Sequence, residues 1–211
     1  MPPKVKFTKD EIVNAALNVA RIKGANAVTT RDIGAALGVS TRPIFTYFSS
    51  MDEVRAEMRL AAEKLYRGYI AEGLKAEIPF LGVGLQYIAF ARNEPALYRL
   101  LFLSADASGS SGALAALGSY QDLVRASIER IYHMDASTAD HYARDMWLVV
   151  HSIATLIVSG GHPYTDEQIR ATLTEFSLSL CKAFKEIPGF NDGTFDRDRE
   201  FRALIGCTFQ P

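Results

Sequence analysis

The stretch from Thr29 to Phe48 constrains this 211-residue chain more than any other, because its caps and turn residues mark where two short helices start and stop. Thr29, followed three residues later by Asp32, is a capping box in its acidic variant. The hydroxyl accepts from the Asp32 amide and the carboxylate accepts from the Thr29 amide, so a helix opens there. Ile33, Ala36 and Leu37 share one face of it. Gly38 follows the last periodic residue, where a positive φ ends a helix, and Ser40 is placed to cap the next one after a turn of about three residues. Pro43 suits the first turn of that second helix, since its missing N–H breaks no internal bond, and Ile44 and Phe48 supply a buried stripe. Thr41, Arg42, Phe45, Thr46 and Tyr47 remain for the opposite side. The pattern reads as a helix-turn-helix whose outer face offers a cation, hydroxyls and aromatic groups, the chemistry that contacts phosphate oxygens, guanine edges and thymine methyls. From spacing alone, a helical hairpin in an ordinary all-helical core is the competing reading.

The flanks extend the helical pattern. Thr8-Lys9-Asp10-Glu11 is another capping box, opening a helix that runs to about Lys23 with Ile12, Ala16, Val19 and Ala20 on one face and Gly24 as its stop. Lys4 and Lys6 precede it on an arm that can lie on DNA. Ser50 and Glu53 open a long helix to about Gly73, in which Val54, Met58, Ala61, Ala62, Leu65 and Tyr69 recur at three and four residues. No Pro/Gly/Ser-rich linker separates it from what precedes, which favours mechanical coupling of two domains.

From Pro79 the composition turns apolar and aromatic. Breaks at Asn93-Glu94-Pro95, Ser104 to Gly112, Met134-Asp135 and Gly160 to Pro163 leave helices at about 79–92, 95–103, 112–133, 136–159 and 165–187. Asp135 or Ser137 and the Thr165-Asp166-Glu167-Gln168 box are suitable starts. No strand signal competes. The expected fold is all-α, with a three-helix DNA-binding domain at 1–49, a larger helical effector-binding and dimerisation domain at 50–187, and a tail at 188–211. That tail reads as a short amphipathic helix folded onto the dimer interface or as a frayed end.

Charge and chemistry narrow the function. Residues 1–50 hold seven cations against three anions, a net of +4 within a chain whose total is −1, so the rest carries −5. A basic head on an acidic body concentrates phosphate affinity in the first domain. No run of eighteen uncharged apolar residues appears, and Met1 to Lys6 lacks the apolar segment of a signal peptide, so a cytoplasmic protein with no membrane partner is expected. Cys181 and Cys207 form no CxxC pair. The four histidines build no HExxH cluster, no glycine-rich phosphate loop follows a strand, and no GxSxG elbow occurs. His141 and Asp145 read as an ordinary i, i+4 pair. No catalytic residue, metal or cofactor is expected.

Phe7, Ile12, Ala15 and Ala16, the opening from Thr29 to Ile33, and Gly38-Val39-Ser40 running into Phe45-Thr46-Tyr47-Phe48-Ser49-Ser50 resemble the N-terminal DNA-binding domain of TetR-type transcriptional repressors, from Thr8 to about Val54. Phe45 stands where that family usually has Tyr, and Met51 where it has Lys; both family residues contact phosphate. The resemblance implies double-stranded DNA with a pseudo-palindromic operator as partner. On the residues, Lys6, Thr30, Arg31, Thr41, Arg42, Phe45, Thr46 and Tyr47 are the DNA-contact candidates, with Arg42 as base reader.

Further on, Tyr98-Arg99-Leu100-Leu101-Phe102 and Met146-Trp147-Leu148-Val149-Val150-His151-Ser152 resemble the ligand-binding domain of the TetR subgroup named for a Trp, His, Gly signature, with Ser152 in place of Gly. Trp147 and His151, four apart, point into one space. Together with Tyr87, Phe90, Tyr98, Phe102 and Tyr120 they are candidates to hold a mainly apolar effector, or to form a packed core with a satisfied histidine. Leu173, Phe176, Leu180 and Phe184 form a stripe with small neighbours Ser177 and Cys181, and are expected to build a two-fold homodimer with the apolar helix before them. The resemblance further implies that an effector shifts the helix from Ser50 to Gly73 and so the spacing of two recognition helices. A helical adaptor that has lost DNA binding, or a regulator without a small-molecule inducer, is the alternative.

Overall fold

A computed structural model describes residues 7–104, 112–161 and 164–206, and the helices it contains are α1 (Lys9–Lys23), α2 (Thr30–Leu37), α3 (Ile44–Tyr47), α4 (Met51–Gly73), α5 (Pro79–Asn93), α6 (Pro95–Tyr98), α7 (Gly112–Tyr132), α8 (Ala136–Val158), α9 (Asp166–Glu186) and α10 (Arg197–Ile205). A 3-10 turn at Ala25–Ala27 follows α1, and a π-helical turn at Arg99–Leu103 continues α6. The fold is all-α, with no strand among the described residues. Lys4, Lys6, the 105–111 loop, His162, Pro163 and Cys207 lie outside the described residues.

Local chemistry sets most of the boundaries. Thr8 with Glu11 and Thr29 with Asp32 form complete capping boxes, Ser50 accepts from the Glu53 amide, Asp135 from that of Thr138, and Thr165 pairs with Gln168. Each satisfies amides that the first helical turn leaves without internal partners. Gly38 ends α2 at φ 65°, in the left-handed region that only glycine adopts without strain.

The second helix of the motif departs from expectation. Ser40 does not cap it; Pro43 stands at its N-terminal boundary without a side-chain cap, and the regular helix is the single turn Ile44–Tyr47. Short bonds from the Ile44 amide to the Thr41 carbonyl (3.2 Å) and from the Thr46 amide to the Pro43 carbonyl (3.3 Å) close the preceding turn. The cause lies in Pro43, which removes one donor and biases the residue before it away from helical backbone.

α1 packs against α2, α4 and α6, so the small N-terminal core of Ile12, Ala16, Ala20, Ile33, Ile44 and Phe48 continues onto the bridging helix. On α4 the fully buried row is Val54, Met58, Ala62, Tyr66 and Ile70, an uninterrupted i, i+4 series. Ala61, Leu65 and Tyr69, expected in that stripe, flank it half-buried. In the larger domain α5 lies between α4 and α8, α7 packs on α8, and α9 covers α8 and α5.

The stripe on α9 divides. Leu173 is only 2% exposed and lines a gap with Phe80, Gly84 and Met146, so it faces the protomer's own core and not a partner. Phe176 is 49% exposed, Leu180 is half-buried, and Phe184 packs edge-on against His141 and Phe190. At 100° per residue, 173, 180 and 184 fall toward one side and 176 falls away. The tail does form α10, capped by Asp196, but the helix buries no side chain, and Phe201, Leu204 and Ile205 stand in solvent. No helix among the described residues is long and apolar enough to cross a membrane.

Candidate functional site

Two sites take shape, one on the surface and one inside. On the surface, the capping box leaves Thr30 and Arg31 in the first turn of α2, with Arg31 exposed, while Arg42, Phe45 and Thr46 project from the α3 turn; Phe45 is 54% exposed. The cations of this domain fare differently. Lys9 pairs with Glu57 on α4, Arg21 with Glu94, and Lys23 with Asp32. The Lys23 ammonium and the Thr29 hydroxyl hold the Asp32 carboxyl below its usual range. Arg31 and Arg42 have no carboxylate partner among the described residues. Among the described cations of the first fifty residues, these two guanidinium groups are therefore the ones left without a carboxylate partner. Tyr47 differs from its neighbours: its hydroxyl donates to the Phe7 carbonyl at 2.8 Å, half-buried, so it pins the start of α1 beside the recognition turn.

Between the domains, Arg21 at the end of α1 makes a two-bond fork to Glu94, Nε to one carboxylate oxygen at 2.7 Å and Nη2 to the other at 2.8 Å. This clasp ties the DNA-side helix to the junction of α5 and α6. On the far side of that junction, the Arg59 guanidinium of α4 donates to the carbonyls of Leu100 and Leu101 (2.6 and 2.9 Å), two groups of the π-helical turn.

Inside the larger domain, Tyr87, Tyr98, Phe102, Trp147 and His151 do converge. Trp147 stacks on His151 at 4.3 Å between ring centres, and His151 also meets Tyr98, Tyr87 and Phe102. The Tyr87 and Tyr98 hydroxyl oxygens lie 3.0 and 2.9 Å from His151 Nδ1. Burial lowers the His151 pKa and so favours the neutral imidazole, whose tautomer sets whether Nδ1 accepts or donates. Tyr98 also lies 2.9 Å from Thr155 Oγ1 and 3.3 Å from the His151 carbonyl, so it has a partner whichever tautomer is present. Burial raises the hydroxyl pKa of Tyr87, and that of Tyr98 to about 12.

These rings touch one another, so a ligand lying between them would have to displace one. Phe90 sits behind them against Tyr66 and Tyr69, fully buried, and Tyr120 borders a gap of about 10 Å³, too small for a ligand. Phe102 borders a larger space, a cavity of about 90 Å³ between α4, the π-helical turn and α7, whose other walls include Arg59, Glu63, Tyr66 and Ser119. Tyr66 was not among the sequence candidates. Its signal was its place in the i, i+4 row of α4, masked by Tyr69 three residues on. Among the described residues, no three His, Cys, Asp or Glu side chains come close enough together to hold a metal ion.

Comparison with known proteins bears on both sites. Residues 12–58 match the family described as bacterial regulatory proteins, tetR family, and residues 80–178 match the tetracyclin repressor-like C-terminal domain. No curated protein matches the sequence. Among solved structures, a tetR-family transcriptional regulator from Streptomyces coelicolor is similar over 94% of this chain and 97% of its own, with a TM-score of 0.67 at 16% identity. The fatty acid degradation regulator FadR from Bacillus halodurans is similar over 82% of this chain and 98% of its own, with a TM-score of 0.56 at 16% identity. At such identities the likeness concerns the fold. The two family matches leave out residues 59–79, the part of α4 that carries Arg59, Glu63 and Tyr66.

Proposed function

For a chain that is a TetR-family transcription regulator, with a tetR-type helix-turn-helix domain and a tetracyclin repressor-like C-terminal domain, we propose the role of a cytoplasmic repressor released from its operator by a small, mainly apolar molecule. The observation that carries the DNA-reading half is the selective freedom of Arg31 and Arg42, while Lys9, Arg21 and Lys23 are all paired. Arg42 reads a base edge in the major groove; Thr30, Arg31, Thr41 and Thr46 contact phosphate, and Phe45 meets backbone or a thymine methyl. Tyr47 serves by fixing the start of α1, from which Lys6 reaches the duplex.

The DNA-binding domain is taken as residues 1–49 and the effector and dimerisation domain as 50–187, with α4 shared mechanically between them. Trp147 and His151 align this domain with the Trp, His, Gly subgroup. The dimer is isologous, formed by the outer faces of α8 and α9, where Leu148, Leu156 and Phe176 are each about half exposed. Two recognition turns then sit about one DNA turn apart, roughly 34–36 Å.

A gel shift with the DNA upstream of the chain's own coding sequence tests the proposal, combined with sedimentation. A shifted band that survives excess unrelated DNA, from a protein that sediments as a dimer, is the expected result. A monomer at micromolar concentration defeats the dimer, and absence of any shift favours a helical adaptor.

A further inference from the structure

Among the described residues, one ion pair joins the first fifty residues to the body beyond α4: Arg21 on the last turn of α1 with Glu94 at the junction of α5 and α6. The two residues lie in separate family matches, 12–58 and 80–178. Nε and Nη2 of Arg21 reach different oxygens of the one carboxylate, and Nη1 donates to Asn18 Oδ1 at 2.7 Å, so the guanidinium plane is set from the α1 side. Two parallel bonds define orientation as well as distance. The Lys9–Glu57 and Lys23–Asp32 pairs, each a point charge on a flexible stem, define only distance.

The Glu94 end is equally constrained. Its amide donates to the Phe90 carbonyl and its carbonyl accepts from the Tyr98 amide, both at 2.8 Å, and its side chain is 14% accessible. It heads the segment 94–103, which the body grips three times: Tyr98 meets His151, Arg99 donates to the Val158 carbonyl, and Arg59 donates to the carbonyls of Leu100 and Leu101. Glu94 therefore does not follow Arg21 if α1 moves. On the other side of the fork, α1 to α3 share one core, so a displacement of α1 is a displacement of the recognition turn. Beside the fork a crevice of about 480 Å³ opens between the end of α1 and α6, bordered by Lys23, Ala27, Pro95 and Leu100. Rocking of the small domain about α4 changes the width of this crevice and parts the fork.

We infer, on the dimeric regulator reading proposed above, that Arg21 and Glu94 are positioning residues for DNA recognition: they set the tilt of each DNA-binding domain on its body, and so the half-site spacing that the dimer accepts. α4 attaches the small domain along one axis, and a rigid contact off that axis is what stops rotation about it. Duplex DNA rises about 3.4 Å per base pair, and two-fold symmetry doubles any displacement of one domain. An outward shift of only about 1.7 Å in each protomer thus changes the register by one base pair. A fork with bonds of 2.7 and 2.8 Å loses both over that distance. A partly exposed pair adds little to stability, so its consequence is geometric.

Selection of bound duplexes from a random-sequence pool by the full-length protein identifies the half-sites and their natural spacing. Duplexes with one base pair removed from the centre, or with one or two added, are then compared by competition gel shift for the parent, Glu94→Gln and Arg21→Lys. The parent should prefer the natural spacing by about tenfold over either change of one base pair. Glu94→Gln should narrow that ratio to about twofold, and so should Arg21→Lys, which keeps the charge but cannot form the fork. Because the ratio compares two duplexes on one protein sample, a loss of folded protein cancels from it. A contact that only stabilised the fold would leave it unchanged.

A parental ratio in either variant would overturn the inference, as would a drop in affinity by one common factor at every spacing. Failure of the wider reading shows in the parent itself. If the parent selects no duplex, the DNA-binding reading falls and takes the positioning role with it; if it selects single half-sites, the dimer falls with the same consequence. If the parent selects spaced half-sites and both variants hold to that spacing as strictly, only the positioning role fails.

Discussion

The recognition surface and the aromatic cluster are built from similar side chains and dispose of their polar atoms in opposite ways. Arg31 on α2 and Arg42 just before α3 are exposed and have no carboxylate partner among the described residues, whereas Lys9, Arg21 and Lys23 each have one. In the C-terminal core, Tyr87, Tyr98, His151 and Thr155 satisfy one another. The surface set keeps its bonding capacity for a partner, whereas the interior set has used it for stability and order. The interior has exceptions: the buried Tyr66 hydroxyl has no hydrogen-bond partner among the described residues. Trp147 Nε1 is another buried atom without a partner among the described residues.

Four experiments break or sharpen this contrast. The largest effect is expected from Phe48→Ala, which hollows the small N-terminal core and should cost about 3–5 kcal/mol. If the two regions are separable, urea unfolding followed by domain-resolved hydrogen exchange will show loss of α1 to α3 protection while α5 to α9 keep theirs. Equal loss in both would mean that the α4 and Arg21–Glu94 connections make them one cooperative unit.

Arg42→Ala comes next. If its free guanidinium reads a base, operator affinity should fall by about 1–3 kcal/mol and specificity relax at one base pair. Uniform weakening across operator variants, seen in a competition gel shift, would make it a phosphate contact.

The interior makes a smaller, pH-linked prediction. Tyr87→Phe should cost about 1 kcal/mol, at the low end for a buried acceptor, because Tyr98 can turn its hydroxyl to Nδ1 and give up Thr155. The His151 pKa is lowered in the fold from its ordinary value of 6.5, so the unfolded chain binds the proton first as pH falls. Stability contributed by the neutral imidazole is intact above that value and declines below it, down to the depressed folded pKa. Urea midpoints measured from neutral to mildly acid pH should fall in the parent, and His151→Gln should remove that part of the slope. An unchanged slope would show that other groups carry it.

The smallest effect belongs to the clasp. Glu94→Gln leaves Arg21 without its counter-charge at a partly exposed site, for roughly 0.2–1 kcal/mol at low salt and less at high salt. A loss independent of salt would point to packing around Glu94 instead of its charge.

Much of this chain was legible one residue at a time. Thr8, Thr29, Ser50, Asp135 and Thr165 as helix starts, and Gly24 and Gly38 as stops, were read correctly because a cap is chemistry between residues three or four apart. The same locality exposed the helix-turn-helix and its unburied face, since a face is defined by what its own stripe does not use. What locality could not supply was the choice among neighbouring phases on a helix and the partner each polar group would meet. Leu173 turned inward, Tyr66 displaced Tyr69 from the buried row of α4, Ser40 yielded to the backbone limits of Pro43, and Arg99–Leu103 widened into a π-helical turn. Each of the two phase choices was settled by the helix packed opposite, because residues at i+3 and i+4 are nearly equivalent on an isolated helix and become distinct only when another surface buries one of them. Whether a buried tyrosine meets His151 or, like Tyr66, finds no partner among the described residues is decided in the same way, by side chains scores of residues away in sequence that only the tertiary structure brings within about 3 Å.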